Sequence, residues 1–279
     1  MIRDSVVCYP GGELVFGRKT HVMGILNVTP DSFSDGGRWN DPLSAVRHAR
    51  AMVRDGADIV DVGGESTRPG SRPVSAREEC RRVVPVVERL SAEGILVSID
   101  TSKAAVAREA VRAGAKILND VTALRGDRSM ARFAARAEVA VVLMHMKGTP
   151  RTMQKDPRYG DVVAEILQFF REILKNALRA GISRDRILLD PGIGFGKLPE
   201  HNVEILRRLD EFRSLGRPLV VGTSRKSFIG HCLGGRSVDE RVPGTAATVA
   251  ASILRGADVV RVHDVREMSD VARMADLLR

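Results

Sequence analysis

Cysteine is scarce in this chain, and its few copies are poorly placed to act together. The 279 residues contain three cysteines, Cys8, Cys80 and Cys232, which lie far apart and form no C-x-x-C pair. An odd number with this spacing indicates neither a disulfide framework nor a zinc site. We therefore predict a protein of the reducing cytoplasm.

Long apolar runs are also absent from the sequence. No stretch approaches the ~18 consecutive apolar residues that a membrane-spanning helix needs. The first ten residues, MIRDSVVCYP, lack the apolar core of a signal peptide. We therefore expect neither export nor a membrane partner.

Aromatic residues are few as well, which bears on the meaning of the high positive charge. Only 4% of the residues are Phe, Trp or Tyr, so few rings could stack on single-stranded bases. The formal net charge is +9, but the basic residues are scattered through helix-like segments and form no runs. We expect no nucleic-acid partner, and the charge indicates only that anionic substrates are favoured.

The sequence does contain a regular alternation of short aliphatic runs and longer segments with helical spacing. Eight runs typical of strands lie at 22–26, 59–62, 95–99, 116–118, 139–144, 187–189, 219–221 and 258–262. Segments with helical spacing lie between them, among others at 42–55, 76–92, 104–113, 162–180 and 244–255. Glycine often marks the turn into the next strand, as at Gly56, Gly114, Gly181 and Gly256.

This alternation predicts the fold class. Strands that alternate with helices pair in parallel, and eight such units over about 260 residues fit a closed (β/α)8 TIM barrel better than the alternative, an open doubly wound sheet. Ahead of the repeat, two short strands at 6–9 and 14–16 flank the turn-forming residues 10–13 and predict a β-hairpin. We predict an α/β protein with a hairpin extension at residues 1–20 and a barrel at residues 21–279.

Barrel enzymes carry their chemistry at the carboxyl ends of the strands and in the loops that follow. Residues 27–37, with the sequence NVTPDSFSDGG, change abruptly from an apolar run to polar groups and turn formers. The loops after the first two predicted strands are rich in Gly, Ser, Pro and Asp, which is typical of mobile covers over a site.

Four predicted strand ends carry Asp100, Asn119, Asp190 and Lys226. Two carboxylates, an amide and an ammonium group could together recognise the hydrogen-bond donors and acceptors of a planar nitrogen heterocycle. The alternative is that each of them caps a helix or pairs with a neighbour. Their position on one face of a barrel favours the binding site.

A second group of strand-end residues could hold phosphate oxygens. It comprises Arg261 and His263, which leave the same face of the last strand, and Asn27, Thr67 and Arg68. Asn27 could also offer its side-chain oxygen to Mg2+. No dense cluster of carboxylates or histidines accompanies this group, so a metal held mainly by a substrate diphosphate fits better than a protein cage.

Two nearby features allow more than one interpretation. His145 is as compatible with a packed strand end as with a functional role. Residues 192–197, GIGFGK, look like a phosphate-binding loop, but Leu198 follows Lys197, so the G-x-x-x-x-G-K-[ST] spacing is not met. The segment is a weak indication of nucleotide binding.

The assembled motifs closely resemble those of the dihydropteroate synthases, folate-pathway enzymes of the pterin-binding family. The resemblance runs from His21 to about Val265 and rests on separate blocks in a fixed order: MGILNVTPDSFSDGG, GADIVDVGGESTRPG, SIDTSK, ILNDV, LMHMKGTPRTMQ, ILLDPGIGFGK, SRKSFIG and RVHDV. The main departures lie in the helices, in the basic surface and at Lys147.

The resemblance implies a reaction and a role for each matching residue. The reaction is condensation of 6-hydroxymethyl-7,8-dihydropterin diphosphate with p-aminobenzoate to give 7,8-dihydropteroate and diphosphate. The implied roles are pterin binding by Asp100, Asn119, Asp190 and Lys226; stacking on the ring by Arg261; diphosphate binding by Arg261, His263 and Asn27, with Asn27 also on Mg2+; substrate ordering by Thr67 and Arg68; and p-aminobenzoate binding by Ser227, Pro69 and Phe195. Within this set, Asp100, Lys226, Arg261, His263 and Arg68 are expected to take part in catalysis.

Two other functions fit parts of the same pattern. A corrinoid-dependent methyltetrahydrofolate methyltransferase would share the barrel and the pterin pocket, but it does not need the SDGG, STRPG and RVHDV blocks. A pterin-binding homologue without catalysis would keep the motifs. The resemblance further implies a homodimer and inhibition by sulfonamides, neither of which the periodicity establishes.

Overall fold

The computed structural model describes residues 5–29, 42–66, 71 and 73–279. Most of the two predicted cover loops lies outside this range. So do Thr67, Arg68 and Pro69, three residues predicted for the site.

The described chain begins with two antiparallel strands and continues as alternating strands and helices. The strands are β1 (Ser5–Tyr9), β2 (Gly12–Phe16), β3 (His21–Asn27), β4 (Ile59–Gly63), β5 (Val97–Asp100), β6 (Ile117–Asp120), β7 (Ala140–Met144), β8 (Ile187–Asp190), β9 (Val220–Val221) and β10 (Val259–Val262). The helices are α1 (Pro42–Arg54), α2 (Ala76–Ala92), α3 (Ala104–Arg112), α4 (Met130–Ala137), α5 (Val162–Arg179), α6 (Pro199–Arg207), α7 (Ser227–Cys232), α8 (Val242–Leu254) and α9 (Val265–Leu278).

The eight strands from β3 to β10 form a closed parallel barrel. Hydrogen-bonded neighbours follow the order β8, β7, β6, β5, β4, β3, β10, β9. A parallel bridge between Leu189 and Leu219 joins the two ends of this order, and the Leu189 N–H donates to the Pro218 carbonyl at 2.9 Å. The predicted (β/α)8 barrel is confirmed, and the open doubly wound sheet is excluded.

The side chains inside the barrel form an apolar layer below a polar one. Successive strand residues point to opposite faces, so one set meets the helices and the other fills the interior. The buried cluster at the amino end of the strands includes Met23, Ile59, Ile117, Ala140, Val142, Leu188, Val220 and Val259. Two residues further along the strands from Ile59, Ile117, Leu188 and Val259, the corresponding side chains are those of Asp61, Asn119, Asp190 and Arg261. The interior is therefore packed below and polar above.

The predicted N-terminal hairpin is present, and it covers the apolar end of the barrel. Strands β1 and β2 pair from Ser5–Phe16 to Tyr9–Gly12. The connection is a tight turn in which Gly11 adopts a φ of +88°, a conformation that costs glycine little. Val7, Leu14 and Phe16 are buried in the same cluster as the lower barrel layer. The boundary between extension and barrel at residue 20 stays a prediction.

The helices begin where the sequence supplies suitable caps. Ser75 accepts from the N–H of Glu78 at the start of α2, and Asp161 accepts from two N–H groups at the start of α5. The helix predicted to start at Gly244 starts at Val242 instead, because Pro243 is tolerated in the first turn, where its missing N–H has no partner to lose. Among the described residues, no helix has both the length and the apolar character to cross a membrane.

We expect truncation of Phe16 to destabilise the whole barrel. Its side chain is fully buried and meets the His21 ring edge-on, with the ring centroids 5.1 Å apart. Phe16→Ala should lower the free energy of unfolding by about 3 to 5 kcal/mol, as measured by urea denaturation. Val15→Ala, at a neighbouring position with an exposed side chain, is the matched control and should change it by less than about 0.5 kcal/mol. Equal effects of the two variants would show that the hairpin is not part of the core.

Candidate active site

A cavity of about 470 Å3 opens at the carboxyl ends of the barrel strands. All of the predicted site residues that the structure describes line it: Asn27, Asp100, Asn119, Asp190, Phe195, Lys226, Ser227, Arg261 and His263. They come from different strands and loops, and the closed barrel brings them around one space.

Gly63 separates two residues of the cavity wall. It lies on β4 between Asn27 of β3 and Asp100 of β5 in the strand register. A Cβ atom at this position would lie 3.5 Å from the Asn27 Oδ1 and 3.9 Å from the Asp100 Oδ2, which is ordinary van der Waals contact. Asn27 and Asp100 therefore flank the same backbone position at the carboxyl end of the barrel.

Arg261 forms the charged centre of the site by joining two carboxylates. Its Nε donates to the Asp61 Oδ2 at 2.6 Å, and its Nη2 donates to the Asp100 Oδ2 at 2.7 Å. Burial lowers the pKa of Arg261, but Asp61 and Asp100 outweigh that effect and raise it above its usual value. Arg261 is therefore a permanent cation in the cavity wall.

Asp100 is a carboxylate under opposing influences. Burial raises its pKa above the usual value, Arg261 opposes that rise, and the negative charges of Asp61, Glu79 and Asp120 add to it. The net direction is upward, so a small change in its surroundings changes its protonation near neutrality. Asp100 thus combines proximity to the cavity with a sensitive charge, as expected of a functional carboxylate.

Asp190 and Asn119 present polar groups from β8 and β6. Asp190 is buried, and its Oδ1 accepts from the Gly192 N–H at 2.7 Å. Burial raises the pKa of Asp190, while the Gly192 N–H and the charges of Lys226 and Arg261 oppose the rise. Asn119 donates through Nδ2 to the Asp61 Oδ2 at 2.9 Å, so its own side-chain oxygen is the group that can accept.

Lys226 and Ser227 follow a strained residue on the opposite side of the cavity. Arg225 has a left-handed φ of +56°, and its guanidinium donates to both carboxylate oxygens of Asp264 at 2.6 and 2.9 Å. This ion pair holds the turn that precedes α7. Lys226 then places its Nζ 4.1 Å from the centroid of the Phe195 ring, a cation–π contact. Ser227 is the exposed first residue of α7 and lies at the cavity mouth.

His263 is oriented by Ser224. The Ser224 Oγ accepts from the backbone N–H of His263 at 3.1 Å and lies 3.0 Å from the ring Nδ1. The hydroxyl can also donate to Nδ1, and in that tautomer the ring proton is on Nε2. A neutral His263 would then be a donor toward an anion.

Residues 192–197 support the cavity wall and do not form a phosphate-binding loop. Lys197 is buried, and its Nζ donates to the carbonyl oxygens of Gly192 at 2.8 Å and Phe195 at 3.0 Å. Burial lowers its pKa well below the usual value, and the charges of Lys226 and Lys147 lower it further. Gly192 has a φ of +69°, and a Cβ there would lie 2.0 Å from the His145 carbonyl oxygen, so only glycine fits.

His145 belongs to this supporting structure and is not among the residues that line the cavity. Its Nδ1 lies 2.9 Å from the Lys197 Nζ, and its ring meets Phe169 edge-on at 4.9 Å between centroids. Burial lowers the pKa of His145 to about 2, helped by the charge of Lys197. Of the two interpretations left open by the sequence, the packed strand-end histidine agrees with this position.

Four further residues shape the site although the sequence assigned them no role: Asp61, Ser224, Arg225 and Asp264. Asp61 lies inside the run 59–62, which was predicted as an apolar strand. A carboxylate within a buried strand requires a partner, so its presence in the sequence could have indicated a contact with another polar residue of the site. The contact between Arg225 and Asp264 joins residues 39 positions apart. No local pattern predicts such a pair.

The described residues contain no group of three or more His, Cys, Asp and Glu side chains placed to hold a metal ion. Asn27, at the end of β3, offers an amide oxygen near Asp100. This donor set suits an ion whose other ligands come from a substrate, as Mg2+ bound to phosphate oxygens commonly does.

Comparison with known proteins identifies the family. The profile of the family described as pterin binding enzyme matches residues 23–263. The chain belongs to this family. Within the pterin-binding enzymes, it is 48% identical over 241 residues to the dihydropteroate synthase of Escherichia coli strain K12, covering 86% of this chain and 85% of that protein.

Two solved structures extend the likeness to the whole pterin-binding fold. The Yersinia pestis dihydropteroate synthase, solved with a sulfonamide drug complex, is 43% identical with a TM-score of 0.95 and covers 98% of this chain and 99% of that one. The Xanthomonas albilineans dihydropteroate synthase, solved with 4-aminobenzoic acid, is 43% identical with a TM-score of 0.91 and covers 99% of this chain and 98% of that one. Both relatives are enzymes of the transferase class, and so is this member of the family.

We expect His145 to make the fold sensitive to acid. Its pKa is about 2 in the folded state against an ordinary value of 6.5, so the unfolded chain binds a proton that the folded chain does not. The folded state keeps its full stability above pH 6.5, the ordinary pKa. Below that pH, the free energy of unfolding falls by up to about 1.4 kcal/mol per pH unit.

The measurement is urea denaturation between pH 7 and pH 4 for the wild type and for His145→Asn, which keeps a polar atom near the Nδ1 position. The wild type should lose stability with falling pH more steeply than the variant. Parallel curves would show that His145 does not titrate on unfolding.

Proposed function

We propose that the chain condenses 6-hydroxymethyl-7,8-dihydropterin diphosphate with p-aminobenzoate, giving 7,8-dihydropteroate and diphosphate. The observation that carries the proposal is the ring of Asp100, Asn119, Asp190 and Lys226 around one cavity, with Arg261 and His263 beside it. Membership of the pterin-binding family and close likeness to dihydropteroate synthases support the same reaction.

In this proposal the pterin ring occupies the deeper part of the cavity. The Asp190 carboxylate accepts from the amino group and an adjacent ring N–H, and the Asn119 oxygen accepts from another N–H. Lys226 donates to a ring carbonyl or nitrogen. These groups are buried or half-buried, so an analogue that lacks one polar atom would leave a protein partner unpaired and bind much more weakly.

The diphosphate lies toward the end of β10 in this arrangement. Arg261 lies on that strand and His263 directly follows its end, and they supply a cation and a donor for the diphosphate oxygens. Asn27 would hold Mg2+ together with substrate oxygens, and the ion would neutralise charge on the leaving diphosphate. Thr67 and Arg68 are proposed to order the substrates from the second loop.

The p-aminobenzoate site is proposed at the cavity mouth, where Phe195 and Ser227 lie, with Pro69 completing it. The flat Phe195 side chain offers an apolar surface for the aromatic ring, and the Phe195 backbone carbonyl is held by Lys197. The Ser227 hydroxyl would bind the carboxylate. A relative binds 4-aminobenzoic acid and another a sulfonamide drug, so we expect sulfonamides to compete with p-aminobenzoate here.

The proposed mechanism is dissociative. The bond between the pterin methylene carbon and the diphosphate oxygen breaks first, and the electron pair leaves with the diphosphate. Arg261 and His263 stabilise the leaving group, while Asp100 stabilises the cationic methylene. The arylamine nitrogen then forms the new C–N bond and releases a proton. Isolation of a covalent pterinyl-enzyme would contradict this order of events.

Two further properties follow from the family resemblance and are proposals as well. We propose that the protein acts in the cytoplasm, in line with three cysteines that form no disulfide. We also propose a homodimer through helices near the C-terminus, where Met274, Leu277 and Leu278 are exposed apolar side chains. Sedimentation analysis at several concentrations tests the second.

The decisive test of function is diphosphate release by the purified protein. We expect release only when both substrates are present, with formation of dihydropteroate in equal amount. Release with the pterin diphosphate alone would indicate a hydrolase. No turnover, with intact pterin binding, would identify a non-catalytic homologue, and methyl transfer in a cobamide-dependent assay would identify the methyltransferase alternative.

Lys226→Ala should weaken pterin diphosphate binding by roughly 1 to 3 kcal/mol, because it removes a charge-assisted hydrogen bond inside the cavity. Isothermal titration calorimetry measures the change directly. Lys175→Ala, on the exposed face of α5, removes the same charge away from the cavity and serves as the matched control. An affinity unchanged by Lys226→Ala would remove Lys226 from the site.

A further inference from the structure

The buried carboxylate Asp61 lies directly beneath the cavity and has no role in the proposed reaction. We propose that Asp61 is a positioning residue, which holds Arg261 and Asn119 in the orientations that let the cavity receive a pterin ring. The proposal rests on the proposed function.

Asp61 contacts both residues through a single oxygen. The Arg261 Nε donates to the Asp61 Oδ2 at 2.6 Å, and the Asn119 Nδ2 donates to the same oxygen at 2.9 Å. The Asp61 side chain is fully buried, and its other oxygen accepts no hydrogen bond from the described residues. Asp61 is not among the residues that line the cavity. Its contacts are therefore directed at the residues of the site and not at a ligand.

Two carboxylates bind different nitrogens of the Arg261 guanidinium, so one contact can stay in place while the other changes. Nε is bound to Asp61 on β4, below the cavity, while Nη2 is bound to Asp100 at its wall. A ring N–H that binds Asp100 can share this carboxylate with Nη2 or displace Nη2, because an ionised carboxylate has several acceptor positions. In either case the Nε contact can persist, so Arg261 would keep its place.

The contact with Asn119 fixes the direction of an amide. An amide side chain among polar neighbours can flip, which exchanges the positions of its donor nitrogen and its acceptor oxygen. Because Asp61 can only accept when ionised, it selects the orientation in which the Asn119 Nδ2 points down. The side-chain oxygen is thereby reserved for a donor on the substrate ring.

A neutral side chain of the same shape would lose both effects. Asn in place of Asp61 could still accept from Arg261, but without the negative charge it would hold the Nε side of the guanidinium less firmly. Its amide could also donate to the Asn119 oxygen, and the orientation of Asn119 would no longer be unique. Misplacement of groups that touch a substrate costs catalysis even where the fold is intact.

The test compares Asp61→Asn with Asp58→Asn. Asp58 lies just before the same strand, at the opposite end of the barrel, where it pairs with Lys19 and accepts from the Val22 N–H. We expect Asp61→Asn to lower kcat/KM for the pterin diphosphate by about 10- to 100-fold, with KM for p-aminobenzoate little changed. Asp58→Asn should leave both unchanged. Wild-type kinetics in folded Asp61→Asn would overturn the proposal.

A pH profile separates positioning from a general loss of structure. Asp61 raises the pKa of Asp100, and Arg261 lowers it. In Asp61→Asn the negative charge of residue 61 is gone, and Arg261 can turn fully toward Asp100. Both changes lower the pKa of Asp100, so the acid limb of kcat/KM should move to lower pH. The other charged groups that act on Asp100, Glu79 and Asp120, are unchanged. A lower rate with an unmoved acid limb would also overturn the proposal.

A second set of variants covers the case in which Asp61→Asn does not fold. The double variant Asp61→Asn/Arg261→Gln buries no unpaired charge at this contact, and its pterin diphosphate affinity is compared by calorimetry with that of Arg261→Gln. If Asp61 acts chiefly by holding Arg261, adding Asp61→Asn to Arg261→Gln should lower the affinity by less than about 10-fold, because the contact that Asp61 serves is already lost. A loss of about 10-fold or more would mean that Asp61 acts independently of Arg261 and would overturn the proposal. Absence of turnover in the wild type would refute the proposed function, while these binding measurements would still decide the role of Asp61.

Discussion

The closed ring of parallel strands is the constraint from which the other features follow. Closure through Leu189 and Leu219 leaves no free edge among the barrel strands β3 to β10 and fixes which side chains face inward. Because all eight strands point the same way, their carboxyl ends meet at one opening. Residues as far apart in sequence as Asn27 and His263 thereby surround a single cavity.

This geometry also explains how the barrel tolerates several ionised groups in its interior. Burying an unpaired carboxylate is costly, and burying two near each other is more so. Arg261 lies between Asp61 and Asp100 and offsets much of the repulsion, although the set retains an excess of negative charge. Burial is the main cause of the raised pKa of Asp100, and this excess of negative charge adds to it. A bound substrate that donates N–H groups to these carboxylates would therefore reduce the repulsion between them.

Prediction from the sequence succeeded where a local pattern determines the outcome. Apolar runs predicted the eight strands, and the residues that end them include Asn27, Asp100 and Asp190 at the cavity. Prediction failed where the outcome depends on contacts between distant segments. The contact of Asp61 with Arg261 spans 200 positions, and the burial of Lys197 depends on the backbone of the preceding loop folding over it. Motif spacing excluded a phosphate loop there without showing what the lysine does instead.

The hairpin at the lower end has a consequence for the order of binding. Strands β1 and β2 cover the amino end of the barrel with Val7, Leu14 and Phe16, and a packed apolar layer lies above them. Anything that enters or leaves the cavity must therefore use the opposite end. On the proposed function, the pterin site is the deeper one and the p-aminobenzoate site lies at the mouth, so a molecule seated at the mouth would block the way to the ring below. The architecture thus imposes a sequence in which the pterin diphosphate arrives first and the joined product leaves as a unit.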